Sequence, residues 1–365
     1  MKKCAIYVRN IKLDPSGFYR IGQYLEYLNG NFVIHNLSTE NEFKKNLRIK
    51  KPFLKKLYQG FLYLRMMRKV TFFILYDYFA KVDAIFIQRT ILPRYLPIFL
   101  LSCLKYISKN KSIIWDFDDN IIESGEISAR EKNLLAEKSE KIIVTSSYLK
   151  ATLPKDSLDK VILLPTTDIN LSLIYKDSII AERETTYRRE INIIWIGTDG
   201  NLKFLAEIID HLDDAALQLN INNSKQLNLY VICNLPLTIK TKNLNIINIS
   251  WLREIVPEYI KKAHIGIMPL QDNYYTKGKA GFKLVQYMAT GLPVIGSAVG
   301  YNIAVVDNNS GLLVSSNNIS KWKDCLIKMC IDIDFWKSLS FGARTKFMND
   351  FNPQKNVGIL NSCIS

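Results

Sequence analysis

A glycine-rich loop with two lysines precedes a predicted helix in the last third of the 365-residue chain. The loop reads TKGKAG over Thr276–Gly281 and includes Lys279, and Lys283 follows in the first turn of the helix. Such a loop can bring backbone N–H groups to an anion, and the helix dipole favours negative charge at the same end. A cation in a first helical turn is unfavourable unless an anion neutralises it. These residues predict a site for a phosphate-bearing ligand.

A second candidate phosphate-binding turn lies in the segment WIGTDGNLKFL, Trp195–Leu205. Gly197 permits a tight turn with close backbone approach, and Thr198 and Asn201 can donate hydrogen bonds or cap the next helix. Two interpretations stay open: a ligand-binding turn, or an ordinary strand–helix turn with an N-cap. The first is favoured because α/β sheets bind ligands at this edge.

Three carboxylates crowd the end of a predicted strand at Asp116, Asp118 and Asp119. Carboxylates this close repel one another, so at least one should have a raised pKa. One of them could bind or deprotonate an acceptor hydroxyl. A helix N-cap cluster and a divalent-metal site are the alternatives.

The motifs between Ile265 and Trp322 resemble the signature of glycosyltransferase family 4. The resemblance rests on a strand ending in IMPL, then GKAGFKLVQYMATGLPVI, SAVGYN and NSGLLV, and a Trp in the following helix. It implies a GT-B fold and transfer of a sugar from a nucleotide-sugar donor, UDP- or GDP-linked, with retention at the anomeric carbon. It also implies that the reaction uses no metal and no cofactor.

The resemblance assigns roles to the two loops. Lys283 would stabilise charge on the departing nucleoside diphosphate. Gln286 stands where relatives carry a Glu that holds the ribose hydroxyls, and a partner Glu is absent at Gly278. Thr198 replaces a common Arg, and Lys203 approximates a common Lys. The predicted donor-binding residues are Gly197, Thr198, Asn201, Lys203, Lys279, Gly281, Phe282, Lys283, Leu284 and Gln286.

The acceptor side is predicted from the first half of the chain. By resemblance, the glycine-bearing loop Pro15–Arg20 lines a cleft near the acceptor and the diphosphate, and Gln88-Arg89 matches a pair in close relatives. Arg20 could pair with a phosphate or be a surface residue. We predict acceptor- or phosphate-side roles for Gly17, Arg20 and Arg89. The catalytic candidates are Asp116, Asp118, Asp119 and Lys283.

Strands alternate with helices along the chain and predict parallel sheets covered on both faces. Residues 1–175 form a predicted Rossmann-like acceptor domain, and 176–345 a Rossmann-like donor domain. The two doubly wound sheets are expected to face a central cleft, and residues 346–365 to cross back to the first domain. The polar stretch Asp168–Glu190 is predicted to connect the domains, and the apolar spacing of Ile21–Leu28 indicates a helix.

The formal net charge of +15 is partly concentrated between Lys44 and Lys69, where ten basic residues occur without an acid. Aromatic and aliphatic residues alternate with them, so this segment could rest on an anionic membrane. It could equally be a helix that packs its aromatic face in the core. No nucleic-acid-binding motif accompanies the charge, so no nucleic-acid partner is predicted.

Six scattered cysteines without a CxxC pair suit a reducing cytoplasm. The chain has no apolar stretch of about 18 residues and no signal-peptide h-region. We therefore predict a cytoplasmic protein, with peripheral contact at the inner face of the plasma membrane.

The predicted function is transfer of a sugar to a hydroxyl of a glycan or lipid-linked glycan in bacterial cell-surface polysaccharide synthesis. Two alternatives remain. One is a non-catalytic nucleotide-sugar- or glycan-binding protein, and the other is a sugar-nucleotide epimerase, both on the GT-B fold.

Overall fold

The computed structural model describes residues 2–49 and 51–364. The chain divides into two compact units. Unit 1 is Met1–Thr166 with Gln354–Ser365, and unit 2 is Thr167–Pro353. The first segment of unit 1 thus ends at Thr166, whereas the sequence predicts the domain boundary at residue 175.

Unit 1 is built on a parallel sheet of strand order β2-β1-β3-β4-β5-β6. Its strands are β1 (Lys3–Val8), β2 (Asn31–Asn36), β3 (Ala84–Gln88), β4 (Ser112–Phe117), β5 (Lys141–Val144) and β6 (Val161–Leu163). Its helices are α1 (Pro15–Arg20), α2 (Glu40–Arg48), α3 (Pro52–Phe79), α4 (Ile98–Ile107), α5 (Ala129–Lys138) and α6 (Ser147–Ala151), with 3-10 turns at Gly22–Tyr24 and Lys155–Lys160. The central strands are apolar runs buried on both faces, as in parallel sheets covered by helices.

Unit 2 repeats the plan with the strand order β12-β11-β10-β7-β8-β9. Its strands are β7 (Glu190–Ile196), β8 (Gln226–Cys233), β9 (Asn245–Ser250), β10 (Ile265–Met268), β11 (Val294–Ser297) and β12 (Gly311–Val314). Its helices are α7 (Ile169–Leu173), α8 (Ser178–Tyr187), α9 (Leu202–Ala206), α10 (Ile209–Asn223), α11 (Val256–Lys262), α12 (Tyr274–Lys277), α13 (Phe282–Met288), α14 (Asn302–Val305), α15 (Lys321–Ile331) and α16 (Ile333–Asp350), with a 3-10 turn at Asp199–Asn201. The prediction of two Rossmann-like parallel sheets is confirmed.

The last helix, α17 (Pro353–Ile364), belongs to unit 1 from Gln354 onward. The Asn356 amide donates to the Tyr24 hydroxyl at 3.0 Å and to the Pro165 carbonyl at 2.8 Å. Asn356 is buried. These bonds join the end of the chain to the first and last parts of unit 1.

Three local predictions were wrong. Pro15–Arg20 forms a helix instead of a loop, because the Asp14 carboxylate caps the Gly17 N–H at 3.0 Å and Pro15 occupies the first turn. Ile21–Leu28 contains only a 3-10 turn at Gly22–Tyr24. Asp168–Glu190 is no simple connection, since it contains α7 and α8 and lies in unit 2.

Helix α3 is 28 residues long and lies against unit 1 along one side only. Leu62, Val70, Ile74 and Asp77 are buried, and the opposite side is exposed. Within the described residues, no helix is both long enough and apolar enough to cross a bilayer. The basic segment 44–69 is divided between α2 and α3. Its residue Lys50 lies outside the described residues.

Candidate functional site

Both loops predicted to bind phosphate lie at the switch point of the unit 2 sheet. Strands β7 and β10 are neighbours there, and the chain leaves them toward opposite edges of the sheet. The Gly197 turn directly follows β7, and the 273–281 loop follows β10 after a short connection. The carboxyl ends of strands at a switch point are the usual ligand site of such sheets.

A glycine at position 197 is required by the Trp195 ring, which lies two residues earlier in β7. A Cβ atom at Gly197 would lie 2.4 Å from the Trp195 indole, which is buried. Asn201 donates from its amide to the Thr198 hydroxyl at 2.9 Å, and Thr198 is exposed. Lys203 is also exposed, with its ammonium 5.0 Å from the centre of the Phe204 ring. The Asn201–Thr198 hydrogen bond and the Trp195 ring restrict the backbone of the turn, while Thr198 and Lys203 face solvent.

The loop before α13 contains more regular structure than the sequence predicts. Asn273 and Thr276 form a capping box that starts the one-turn helix α12. Gly300, at a φ of +54°, lies against α12, and a Cβ there would be 2.4 Å from the Lys277 carbonyl oxygen. Gly281 also has a positive φ, +61°, and is the residue from which α13 starts. Left-handed glycines therefore fix the entry to α13 from both sides.

Lys283, Gln286 and Asp168 form a connected chain of polar groups. The Gln286 amide N–H donates to Asp168 Oδ2 at 2.9 Å, and Lys283 Nζ lies 3.4 Å from Gln286 Oε1. Asp168 also caps α7 through the Leu171 N–H at 3.1 Å. Burial raises the pKa of the Asp168 carboxyl, and the bond from Gln286 partly opposes that rise. Gln286, which the family pattern connects with ribose, is here itself buried and orients the lysine beside it.

The other predicted donor-binding residues near α13 differ in accessibility. Leu284 is fully buried in the core, so only its backbone could face a ligand. Phe282 is half-buried, with the Lys283 ammonium 5.1 Å from its ring centre. Lys279 lies 4.5 Å from the Tyr275 ring centre. Lysine side chains resting on aromatic rings stay at the surface while their charge is held in place.

A cavity of about 230 Å³ opens at the carboxyl ends of β10, β11 and β12. Its lining includes Glu207, Gln271, Asp272, Ser297 and Ser315. Gln271 donates to Glu207 across it. None of the donor-binding residues predicted from the sequence is among its lining residues. Its polar side chains come from four separate segments of the chain, and no single sequence motif connects them.

In unit 1, the carboxylate cluster separates into different environments. Asp116 is fully buried and paired with Arg20, whose Nε lies 3.1 Å from Asp116 Oδ1. Arg20 also donates to the Leu164 carbonyl at 2.6 Å and the Thr166 hydroxyl at 3.2 Å. Burial raises the pKa of Asp116, and Arg20 opposes that effect. Arg20 is therefore not a surface residue, and both groups hold strands of unit 1 together.

Asp118 and Asp119 lie beside Arg89 at the ends of β3 and β4. Arg89 contacts Asp119 Oδ2 at 3.0 Å and lies 3.6 Å from Asp118 Oδ1. Asp118 Oδ2 accepts a hydrogen bond from the Ser16 hydroxyl at 2.8 Å. Burial raises the pKa of Asp118 to about 6, against the opposing charge of Arg89 and with the repulsion of Asp119. Asp116 and Asp118 thus both have the raised pKa that the sequence predicts for at least one of these carboxylates.

Arg89 is held in a backbone conformation that is rare for its residue type. Its φ is +65°, and its carbonyl accepts a hydrogen bond from the Trp115 indole at 2.9 Å. Burial lowers the pKa of Arg89, but Asp118, Glu126 and Asp119 outweigh it and raise the pKa overall. Strained residues that the surroundings enforce often mark functional positions. Arg89 thus stays charged and gathers the carboxylates around it.

Gly17 brings α1 against the end of β1. A Cβ there would lie 2.5 Å from Val8 Cγ2 and 3.1 Å from the Asn10 carbonyl oxygen. The close approach places Ser16 next to Asp118. Among the described residues, no three His, Cys, Asp or Glu side chains are grouped in a way that could hold a metal ion.

Comparison with known proteins identifies the second unit. Residues 191–332 match the family model of the glycosyl transferases group 1. The matched segment lies within unit 2 and is similar to the group 1 glycosyl transferases. No curated protein matches the sequence.

Similarity to solved structures extends over both units of this glycosyltransferase. Anabaena HepE in complex with UDP has a TM-score of 0.66 at 13% identity, over 99% of each chain. A glycosyltransferase from Rickettsia africae has a TM-score of 0.61 at 14% identity, over 100% of this chain and 97% of that one. A UDP-forming trehalose-phosphate synthase from Burkholderia xenovorans reaches 0.60 at 11% identity, over 100% and 99%. These similarities show the GT-B fold for the chain, and the glycosyltransferase assignment rests on the family match within unit 2.

Proposed function

We propose that this glycosyltransferase transfers a sugar from a UDP-linked donor to a hydroxyl of a glycan or lipid-linked glycan. The reaction would proceed with retention and without a metal, in bacterial cell-surface polysaccharide synthesis. The observation that carries the donor assignment is the chain from Lys283 through Gln286 to Asp168 at the switch point of a group 1 domain. UDP is preferred over GDP because similar structures contain UDP or UDP-glucose.

On the donor side, Lys283 would neutralise the diphosphate as the sugar–oxygen bond breaks. A fixed cation costs no reorganisation when charge develops on the leaving group. Gln286 accepts from Lys283 and donates to Asp168, so the lysine has a defined direction before the donor binds. We assign Gln286 and Asp168 a positioning role in this reaction. Gly197, Thr198, Asn201, Lys203 and Lys279 complete the proposed site.

On the acceptor side, we propose Asp118 as the residue that accepts the proton of the attacking hydroxyl. Its pKa of about 6 leaves it mostly ionised near neutral pH while keeping it basic enough to receive a proton. Asp119 and Arg89 would orient Asp118 and the acceptor. Asp116 and Arg20 would support the site from the core, because they bind each other.

The protein would act in the cytoplasm, at the inner face of the plasma membrane, where lipid-linked acceptors are presented. The basic segment 44–69 supports a peripheral contact with anionic lipid, since each basic side chain near such a surface contributes about 1 kcal/mol. The acceptor and the membrane contact belong together in this proposal.

The donor assignment is tested by thermal stability against UDP, GDP, ADP, CMP and dTDP. We expect a selective rise in melting temperature with UDP, because a ligand that binds only the folded state stabilises it. Lys283→Ala should remove most of the rise, whereas Lys240→Ala, at an exposed lysine in the same unit, should retain it. A uniform lack of response in the parent protein would contradict the donor assignment.

A further inference from the structure

Helix α3 is fixed to unit 1 through its inner side. The Asp77 carboxylate is fully buried and accepts a hydrogen bond from the Tyr7 hydroxyl of β1 at 2.7 Å. His35 Nε2, from β2, lies 2.9 Å from the same carboxylate. Near the start of the helix, Glu42 of α2 contacts Arg65 at 2.9 Å. These contacts determine which side of α3 faces away from the sheet.

The side of α3 that faces away from unit 1 is also apolar. Large side chains that are at least half exposed recur every three or four residues along the helix, except between Leu64 and Phe72, where Arg68 takes the intervening position. They are Phe53, Leu57, Phe61, Leu64, Phe72, Leu75 and Phe79, which we call the outer stripe. A surface helix normally has charged and polar residues on this side. At about 1.5 Å per residue, the stripe is about 40 Å long.

Helix α4 widens the apolar surface at the end of the outer stripe. Ile98 and Phe99 are exposed at its start, and Tyr106 is exposed near its end. A groove of about 380 Å³ lies between the two helices and is lined by Leu75, Phe79 and Tyr106, among others. The apolar surface therefore includes side chains of both helices, which the groove joins near Phe79, and it exceeds the isolated apolar residues of ordinary surfaces.

Positive charge borders the outer stripe. Lys51, Lys56 and Arg68 are exposed on α3 or immediately before it. Arg68 falls within the line of the stripe itself, between Leu64 and Phe72. Part of the basic segment is neutralised, because Glu42 contacts both Arg65 and Lys69. The remaining charge still favours an anionic partner over a neutral one.

We propose that the outer stripe of α3, with the start of α4, lies in the plane of an anionic lipid bilayer and inserts its side chains at the headgroup boundary. An apolar helix face with flanking lysines and arginines is the arrangement by which proteins rest on membranes without crossing them. The exposed tyrosines Tyr76 and Tyr106 suit the same depth, since aromatic side chains with a polar end favour the interface. The surface extends beyond segment 44–69, to which the sequence confined the contact.

The docking surface rests on the proposed function only for the acceptor that the membrane would present. The test is sedimentation of the full chain with phosphatidylcholine vesicles, with and without phosphatidylglycerol as about a third of the lipid. We expect binding to the anionic vesicles. Phe72→Ser with Phe79→Ser should weaken it at least about tenfold. The matched control, Leu217→Ser with Ile221→Ser on α10, should leave it unchanged, because those exposed residues lie on unit 2.

The charged part of the surface is tested separately with Lys51→Gln, Lys56→Gln and Arg68→Gln combined. Loss of three charges should weaken binding to anionic vesicles on the order of a hundredfold and reduce its dependence on salt. Circular dichroism and the thermal response to UDP, both measured without vesicles, are the controls that check whether each variant is folded and binds the nucleotide.

Three results would overturn the proposed docking surface. The parent protein could fail to bind anionic vesicles, or the Phe72/Phe79 variant could bind like the parent. Light scattering could instead show a dimer that this variant converts to monomers, which would assign the stripe to a second copy of the chain. A parent protein that responds to UDP but ignores vesicles would overturn the docking surface alone. Vesicle binding without a nucleotide response would overturn the donor assignment alone.

Discussion

Asp118 differs from its two neighbours in what its carboxylate contacts. Asp116 is bound by Arg20 in the core, and Asp119 is partly exposed beside Arg89. Asp118 is buried, raised in pKa to about 6 and bonded to Ser16. Of the three carboxylates, Asp118 therefore has the environment best suited to receive a proton near neutral pH.

We expect kcat/KM to fall as the pH is lowered through about 6, because protonation of Asp118 removes the base. Asp118→Asn should lower activity at pH 7 by at least about a hundredfold and remove this acid limb. The measurement is the pH profile of sugar transfer for both proteins. A variant with normal activity and an unchanged acid limb would exclude Asp118 as the base.

Asp116 should affect stability first. Asp116→Asn leaves the Arg20 guanidinium buried with one neutral partner in place of a carboxylate, and breaking a buried ion pair costs about 3–5 kcal/mol. We expect a clear drop in unfolding free energy by denaturant titration. Asp119→Asn, at a more exposed position, should change stability little. Equal effects of the two substitutions would contradict the structural assignment.

At the scale of elements, local signals indicate most strands and several helices of this chain. The alternation of strands with helices that the sequence predicts is present in both units. Helix α1 was not predicted although Asp14-Pro15 is an ordinary start signal, because the family resemblance implied a loop at Pro15–Arg20. Asp168 was missed for a different reason: its partner Gln286 lies 118 residues away, and one sequence contains no signal for that contact.

The entry to α13 depends on the contact between Gly300 and α12. Gly300→Ala would place a Cβ 2.4 Å from the Lys277 carbonyl oxygen and force a positive φ on alanine. We expect a loss of about 1–3 kcal/mol in stability and weaker UDP binding, measured by thermal melts with and without UDP. Gly200→Ala is the matched control, because nothing lies within 4 Å of the added atom. Similar losses in both variants would contradict this role of Gly300.

His264 links β10 to β7 and α8 and titrates in an unusual range. Its Nδ1 accepts from the Asn192 N–H at 2.9 Å, and its Nε2 lies 3.0 Å from the Arg183 carbonyl oxygen. Burial lowers the pKa of His264 to about 4, below its unfolded value near 6.5. The folded state thus favours the neutral ring, whose contribution is complete above pH 6.5 and is lost as the pH falls toward 4.

We therefore expect His264 to reduce the stability of the protein by about 3 kcal/mol between pH 6.5 and pH 4. The measurement is the pH dependence of the unfolding free energy for the parent and for His264→Gln. The variant should be less stable at pH 7 but lose less on acidification. Parallel curves would show that His264 does not titrate in this range.

At the scale of the whole molecule, the sequence indicates two Rossmann-like units and a group 1 signature, because both depend on patterns within single segments. It does not predict the apolar outer stripe of α3, since the inner and outer sides of that helix are similarly apolar. Which side faces the sheet is decided by the contacts of Asp77 with Tyr7 and His35. Asp77 is the one acidic residue of α3, and it is the local feature that could have indicated this side.

The most direct test of the account is UDP release from UDP-sugars with and without a bacterial lipid extract as acceptor, followed by determination of the anomeric configuration of the product. We predict UDP release that depends on the extract, retention of configuration, and loss of release in Lys283→Ala but not in Lys240→Ala. Turnover of the free UDP-sugar to an isomer without an acceptor would identify an epimerase. UDP binding without any turnover would indicate a non-catalytic binding protein, and either result would contradict the proposed transferase reaction.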